Sequence, residues 1–277
     1  MEKLKEQFFQ DCWASNQVGV RDCLARGVDV NTHTQHDGYG FWSGLTIAAH
    51  ENYLELLEIL LSQPQIKINN ITPDGDTALI VACEAGNSAI LTRLLQVPGL
   101  DVNLQNKWYG HTAANMACCR GATKIVRILA ETGRVDWNQG DKWDRTPLFW
   151  ALSCGNSDIV DIIVKQPNID YNATTEDGET LTHAAVRRGE VKCLEILAAQ
   201  KKCDCWNIPF SNGDTPIMAA LKDGYGDTAV AKILLSCPRV DLSCKDRKGW
   251  HLFVRAIQKN KLGTTTTTMI LLDSVYP

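Results

Sequence analysis

Thr146-Pro147-Leu148-Phe149-Trp150-Ala151 recurs along the chain in altered form. The other copies are Ser43-Gly44-Leu45-Thr46-Ile47-Ala48, Thr77-Ala78-Leu79-Ile80-Val81-Ala82, Thr112-Ala113-Ala114-Asn115-Met116-Ala117, Thr180-Leu181-Thr182-His183-Ala184-Ala185 and Thr215-Pro216-Ile217-Met218-Ala219-Ala220. They begin at residues 43, 77, 112, 146, 180 and 215, at intervals of 34, 35, 34, 34 and 35. A degenerate copy begins at His251, and an N-terminal half-copy has Gln7 at the equivalent place. A fixed period in the range of about 20–50 residues marks a repeat array, in which each unit is one supersecondary element.

A second marker keeps the same period. Asp101-Val102-Asn103, Asp136-Trp137-Asn138 and Asp170-Tyr171-Asn172 each lie eight or nine residues before the next threonine. Asp29-Val30-Asn31 is the same marker, set further from Ser43. One unit can be read in full from Asp74 onward. Gly75 suits a tight turn needing positive φ, and Thr77 sits where a helix N-cap is wanted. Ala78, Leu79, Ala82 and Cys83 give a first helix a small apolar face, which Gly86-Asn87 ends. Ile90, Leu91, Leu94 and Leu95 place an apolar stripe on a second helix, and Pro98-Gly99 stops it. A lone unit cannot bury both faces, so neighbours must stack. At the ends, Lys3, Lys5 and Glu6 supply a polar outer face at the start, and Lys259, Asn260 and Lys261 do so near the finish.

These two motifs at one period resemble the ankyrin repeat, over essentially the whole chain from about Leu4 to about Gly263. The expected architecture is an all-α solenoid of about seven repeats over residues 1–263, followed by a Thr-rich tail, 264–277. Departures are local: the motif proline survives only as Pro147 and Pro216, and the motif histidine only as His183. The resemblance implies a scaffold without catalytic activity that binds another protein, as a monomer, through a concave groove. In this family the groove is lined by hairpin tips and by the exposed end of each first helix. It also implies a structural, hydrogen-bonding role for His183 and makes Asn103 a candidate for asparaginyl hydroxylation. The alternative is the targeting or regulatory arm of a larger protein, such as a ligase adaptor, a channel or a kinase.

Composition agrees with a protein partner. Apolar residues make up 44% and charged residues 22%, enough to bury a sizeable core. The 28 basic and 32 acidic residues leave a net charge of −4, with no basic footprint for nucleic acid or an anionic membrane. The charged start, Met1-Glu2-Lys3-Leu4-Lys5-Glu6, does not resemble a secretory leader. Eleven cysteines in such a chain read as reduced thiols of the cytoplasm or nucleus. The six histidines show no ligand spacing, Cys203-Asp204-Cys205 has no second cysteine pair to complete a zinc site, and no phosphate-binding glycine loop is present. No catalytic, cofactor or metal site is therefore expected.

Six of the eight tryptophans fall into two sets. Trp137 and Trp206 take the apolar slot filled elsewhere by Val102, Tyr171 and Leu242, and are expected in the core. Trp42 with Tyr39 and Phe41, Trp108 with Tyr109, then Trp143, then Trp250 fall at hairpin tips, where they either face a partner or cover hairpin backbone. Family register adds Glu51, Glu84, Arg120, Arg187, Arg188 and Lys222 to the groove, with Arg145 just before Thr146. The expected protein-binding residues are Trp42, Trp108, Tyr109, Arg120, Trp143, Arg145, Arg187 and Arg188. Aromatics and arginines dominate interface energetics, and this arginine set suits an acidic segment, bound bidentately.

Overall fold

The computed structural model describes residues 1–36, 40–221 and 228–245. The chain divides into two compact units, residues 1–136 and 137–277. The first carries α1 (Glu2–Trp13), α2 (Gln17–Ala25), β1 (His33–His36), β2 (Gly40–Ser43), α3 (Gly44–Glu51), α4 (Leu54–Leu61), α5 (Ala78–Ala85), α6 (Ser88–Leu95), α7 (Ala113–Cys119) and α8 (Thr123–Glu131). The second carries α9 (Pro147–Cys154), α10 (Ser157–Ile163), α11 (Leu181–Arg188), α12 (Val191–Ala198), α13 (Pro216–Ala220) and α14 (Thr228–Ser236). The described part is an all-α repeat solenoid with one small hairpin. The copy at His251, Trp250, Lys259, Asn260, Lys261 and the tail 264–277 lie outside the described residues, as do Tyr39 and Lys222.

The recurring threonine is the helix N-cap. Ser43, Thr77, Thr112, Thr146 and Thr180 each accept the backbone N–H three residues on. That bond satisfies an amide that the helix cannot serve itself. Thr215 holds the same position without that bond, its hydroxyl 3.6 Å from Cys244 Sγ. Gln7, read as the matching start of the half-copy, instead lies inside α1, which already begins at Glu2.

The first helix of each repeat is buried nearly all round. In α5 every residue from Ala78 to Cys83 is buried, because small side chains let α3 and α7 approach from either side. The second helices α4, α6 and α8 stack behind them, each burying one stripe, such as Ile90, Leu91 and Leu94 of α6. In the second unit α9, α11 and α13 form the inner row, and α10, α12 and α14 the outer. Each fully buried Leu, Ile or Val contributes about 1.5–3 kcal/mol relative to exposure.

Two backbone devices set the spacing. In the first, each tip is a closed turn. Thr72, Thr175 and Phe210 donate N–H to the carbonyls of Asp76, Glu179 and Asp214, at 2.8–3.0 Å. Gly75 takes φ +92 in one such turn, and a Cβ there would lie 2.0 Å from the Lys107 backbone nitrogen. Gly75→Ala is therefore expected to cost about 1–3 kcal/mol, the scale of local backbone strain, readable as a lower urea midpoint. The first hairpin is longer: β1 and β2 pair antiparallel, with His33 opposite Ser43. This accounts for the extra distance from Asn31 to Ser43.

The second device is an asparagine ladder. Asn31, Asn69 and Asn103 donate Nδ2–H to the carbonyls of Gln65, Gly99 and Arg134, and accept N–H from Lys67, Asp101 and Asp136. Asn138, Asn172 and Asn207 do the same with Asn168, Lys202 and Arg239, and with Asp170, Asp204 and Asp241. The marker asparagine thus joins consecutive repeats, backbone to side chain.

Candidate functional site

In the first unit, Asp74 at one hairpin tip reaches both neighbouring hairpins. Its carboxylate accepts the Phe41 backbone N–H at 2.7 Å and the Trp108 Nε1–H at 3.2 Å. Trp108 is thereby oriented while remaining 61% exposed. Tyr109, 54% exposed, stacks on the buried His111 ring at 5.5 Å. These are large apolar surfaces held in fixed positions rather than swinging free. Trp42 differs: it is half-buried, edge-on to Trp13 and to His50, each at 5.2 Å. Arg120, at the end of α7, is exposed and ion-paired with Glu84 of α5.

In the second unit the hub is Asp141, whose side chain is fully buried. It accepts the backbone N–H groups of Trp143 and Arg145 at 3.0 and 3.1 Å, the Arg145 Nε–H at 2.9 Å and the Trp150 Nε1–H at 3.2 Å. The Arg145 guanidinium lies between the Trp143 and Trp150 rings, 4.3 Å from each centroid. Arg145 is therefore engaged within the fold as a spacer between two indoles, while Trp143 keeps an exposed face. Arg187 pairs with Glu179 at 3.2 Å. Arg188 is exposed and makes no ion pair among the described residues.

A cavity of about 150 Å³ is lined by Glu179, His183, Arg187 and Phe210, among others. Burial pushes the Glu179 carboxyl up, and Arg187 opposes that. His183 is structural: Thr180 Oγ1 meets its Nδ1 at 2.8 Å, and its Nε2 meets the Asp214 carbonyl at 3.0 Å. A carbonyl only accepts, so Nε2 carries the proton. Burial holds the imidazole below its ordinary 6.5, with the Asp214 carbonyl opposing. As pH falls the unfolded chain takes up this proton first. The contribution is thus fully present above about pH 6.5 and is lost as pH drops through the lower folded value. Chemical denaturation between about pH 7 and pH 5 should show wild type losing more stability than His183→Gln.

Sequence reasoning missed Asp74, Asp141 and Trp150 as organising residues. Trp137 and Trp206 are buried, as expected for core. The turn holds one inserted residue: Trp206 directly precedes the ladder Asn207, as Trp137 precedes Asn138, while Asp204 stands three residues before that asparagine instead of two. Among the described residues no group of three or more His, Cys, Asp or Glu could hold a metal ion. No helix there is long and apolar enough to cross a membrane.

The family described as "Ankyrin repeats (3 copies)" matches at residues 12–106, 86–175 and 168–246. The chain belongs to the ankyrin-repeat family. Among curated proteins this ankyrin array is similar to human transient receptor potential cation channel subfamily A member 1, 24% identical over 194 residues, 66% of this chain and 17% of that protein. It is also similar to human ankyrin repeat domain-containing protein 63, 30% identical over 44% of this chain and 33% of that protein. Against the probable 26S proteasome regulatory subunit p28 of Saccharomyces cerevisiae it is 27% identical, over 56% of this chain and 67% of that protein. The array spans a third or less of the first two relatives. Ankyrin repeats are protein-interaction modules, which sets the class of function.

Proposed function

We propose that this ankyrin array is a scaffold, without chemistry of its own, that binds a partner polypeptide across its hairpin tips and the ends of its first helices. The observation that carries this reading is the exposure of Trp108, Tyr109 and Trp143 while neighbouring groups hold each ring in place. Pre-oriented aromatics bind at low cost in side-chain ordering, and such residues supply most of the energy of an interface. Arg188 offers an exposed cation and Arg120 sits in a surface pair with Glu84, whereas the Glu179 partner of Arg187 is only 16% exposed. An exposed pair such as Arg120–Glu84 is worth about 0–1 kcal/mol, so a partner's carboxylate can displace Glu84 cheaply. An acidic segment is the favoured partner chemistry, met by the array as a monomer in the cytoplasm or nucleus.

The test is retention of a partner from lysate by wild type and by a Trp108→Ala, Trp143→Ala, Arg188→Glu variant whose helicity is first matched by circular dichroism. The variant is expected to weaken binding by at least about a hundredfold, since hot-spot truncations cost about 2 kcal/mol or more each. Equal retention would sink the assignment of these residues. A second reading, the targeting arm of a longer protein, is favoured by the lengths of the channel relative and of the Arabidopsis E3 ubiquitin-protein ligase KEG, of which the chain covers 17% and 10%.

A further inference from the structure

The rung of the asparagine ladder at Asn207 is irregular. Two positions separate Asp101 from Asn103, Asp136 from Asn138 and Asp170 from Asn172, but three separate Asp204 from Asn207. The rung bonds persist on both sides: Asp204 donates to Asn172 at 2.9 Å, and Asn207 accepts from Asp241 at 2.7 Å. The extra residue is absorbed within the turn. Cys203, Cys205 and Trp206 are all buried there.

The two sulfurs lie 3.5 Å apart, in hydrogen-bond contact, and Thr182 Oγ1 of α11 is 2.9 Å from Cys205 Sγ. The turn around them is fixed. Trp206 Nε1–H donates to the Cys203 carbonyl at 2.7 Å, and Arg239 donates to the carbonyls of Cys203 and Gln200 at 2.9 and 2.8 Å. Clefts flank this turn, one lined by Ala198, Lys201 and Arg239, the other by Tyr171 and Lys202. Neither cleft is lined by Cys203 or Cys205, whose side chains are fully buried.

We propose that Cys203 and Cys205 form an oxidative modification site, a dithiol that a hydroperoxide closes into an intramolecular disulfide. The Cys205 thiolate attacks one peroxide oxygen; the O–O bond breaks, hydroxide leaves, and the sulfur becomes a sulfenic acid. Cys203 then loses its proton and attacks that sulfur; the S–O bond breaks, and water leaves as the S–S bond forms. The sulfurs give up two electrons and the peroxide takes them. Hydrogen bonding from Cys203, and then from Thr182, holds the Cys205 thiol below its usual range against the effect of burial, while its bond to Cys205 pushes Cys203 up. Cys205, whose sulfur meets both Cys203 Sγ and Thr182 Oγ1, is taken as the attacking group and Cys203 as the resolving one. Other buried thiols lack this asymmetry: burial pushes up Cys12, Cys23, Cys83 and Cys193, which suppresses their thiolates.

The test treats the folded full chain with equimolar hydrogen peroxide, quenches with catalase, then unfolds it in N-ethylmaleimide and maps the digest by mass spectrometry. The expected result is a peptide carrying Cys203 and Cys205 that is unalkylated and two hydrogens lighter, restored by reductant, with Cys83 and Cys193 fully alkylated. Cys203→Ser should accumulate a dimedone adduct on Cys205, Cys205→Ser should give none on Cys203, and Thr182→Val should slow closure several-fold. Full alkylation of Cys203 and Cys205, or oxidation of Cys83 and Cys193 at the same rate, would overturn the proposal. The wild-type map decides the matter even where a variant folds poorly.

Discussion

Asp141→Ala should destabilise the second unit by about 2–4 kcal/mol, because removing one member of a buried, hydrogen-bonded ion pair strands the other. The aspartate receives two backbone amides, the Arg145 guanidinium and the Trp150 indole N–H. Alanine removes the carboxylate paired with Arg145, whose side chain is 26% exposed, and takes that acceptor from the hairpin amides. The partial exposure of Arg145 limits the loss, since water can reach it. Asp141→Asn keeps one acceptor oxygen and should cost less. Equilibrium urea denaturation measures the difference. A loss below about 1 kcal/mol, the size of a surface pair, would mean that Asp141 does not organise the tip. The same substitution should weaken partner binding through Trp143 without touching its ring, because the ring is held by Arg145 and the turn by the aspartate.

Trp206→Ala is the second large effect, expected at about 3–5 kcal/mol, the usual range for emptying a core aromatic site. The indole is buried against a turn that its own N–H ties to the Cys203 carbonyl, and the Arg239 guanidinium lies 5.1 Å from its ring centroid. Repeat arrays can open piecewise, so the global midpoint is best accompanied by hydrogen exchange. Exchange should quicken first in α11 and α12. Trp206→Phe keeps most of the packing and loses the N–H, so it should fall well short of the alanine variant. Similar costs for both would mean that the hydrogen bond, rather than the packed ring, dominates.

The repeat period made the fold legible because the N-cap threonines and ladder asparagines answer to local backbone needs that recur with every unit. Exposed Trp108 and Trp143 were legible for the same reason, since register alone sets them at turn tips. The arginines were not. Arg120 and Arg187 sit where register puts them, yet each has a carboxylate from outside its own helix, Glu84 or Glu179, a tertiary fact that spacing does not encode; Arg145 pairs with Asp141 four residues earlier in the same hairpin. The Trp143–Arg145–Trp150 stack is hidden likewise: Trp150 lies in the helix motif, and the motif says nothing of its half-buried place beside the guanidinium. At Cys203 and Cys205 a single added residue shifted the register by one, which motif alignment absorbed silently and the hydrogen bonds exposed.

The asparagine ladder also bears on how such a chain can change length. Each rung asks only for a carboxamide from one repeat and an amide and a carbonyl from the next, and every residue but proline offers both. The receiving side therefore constrains sequence very little. A duplicated stretch of 34 or so residues would bring its own asparagine and find a ready acceptor in whatever repeat follows it. Growth and shrinkage by whole copies then preserve the joint, whereas a single inserted residue, as between Asp204 and Asn207, must be accommodated inside one turn.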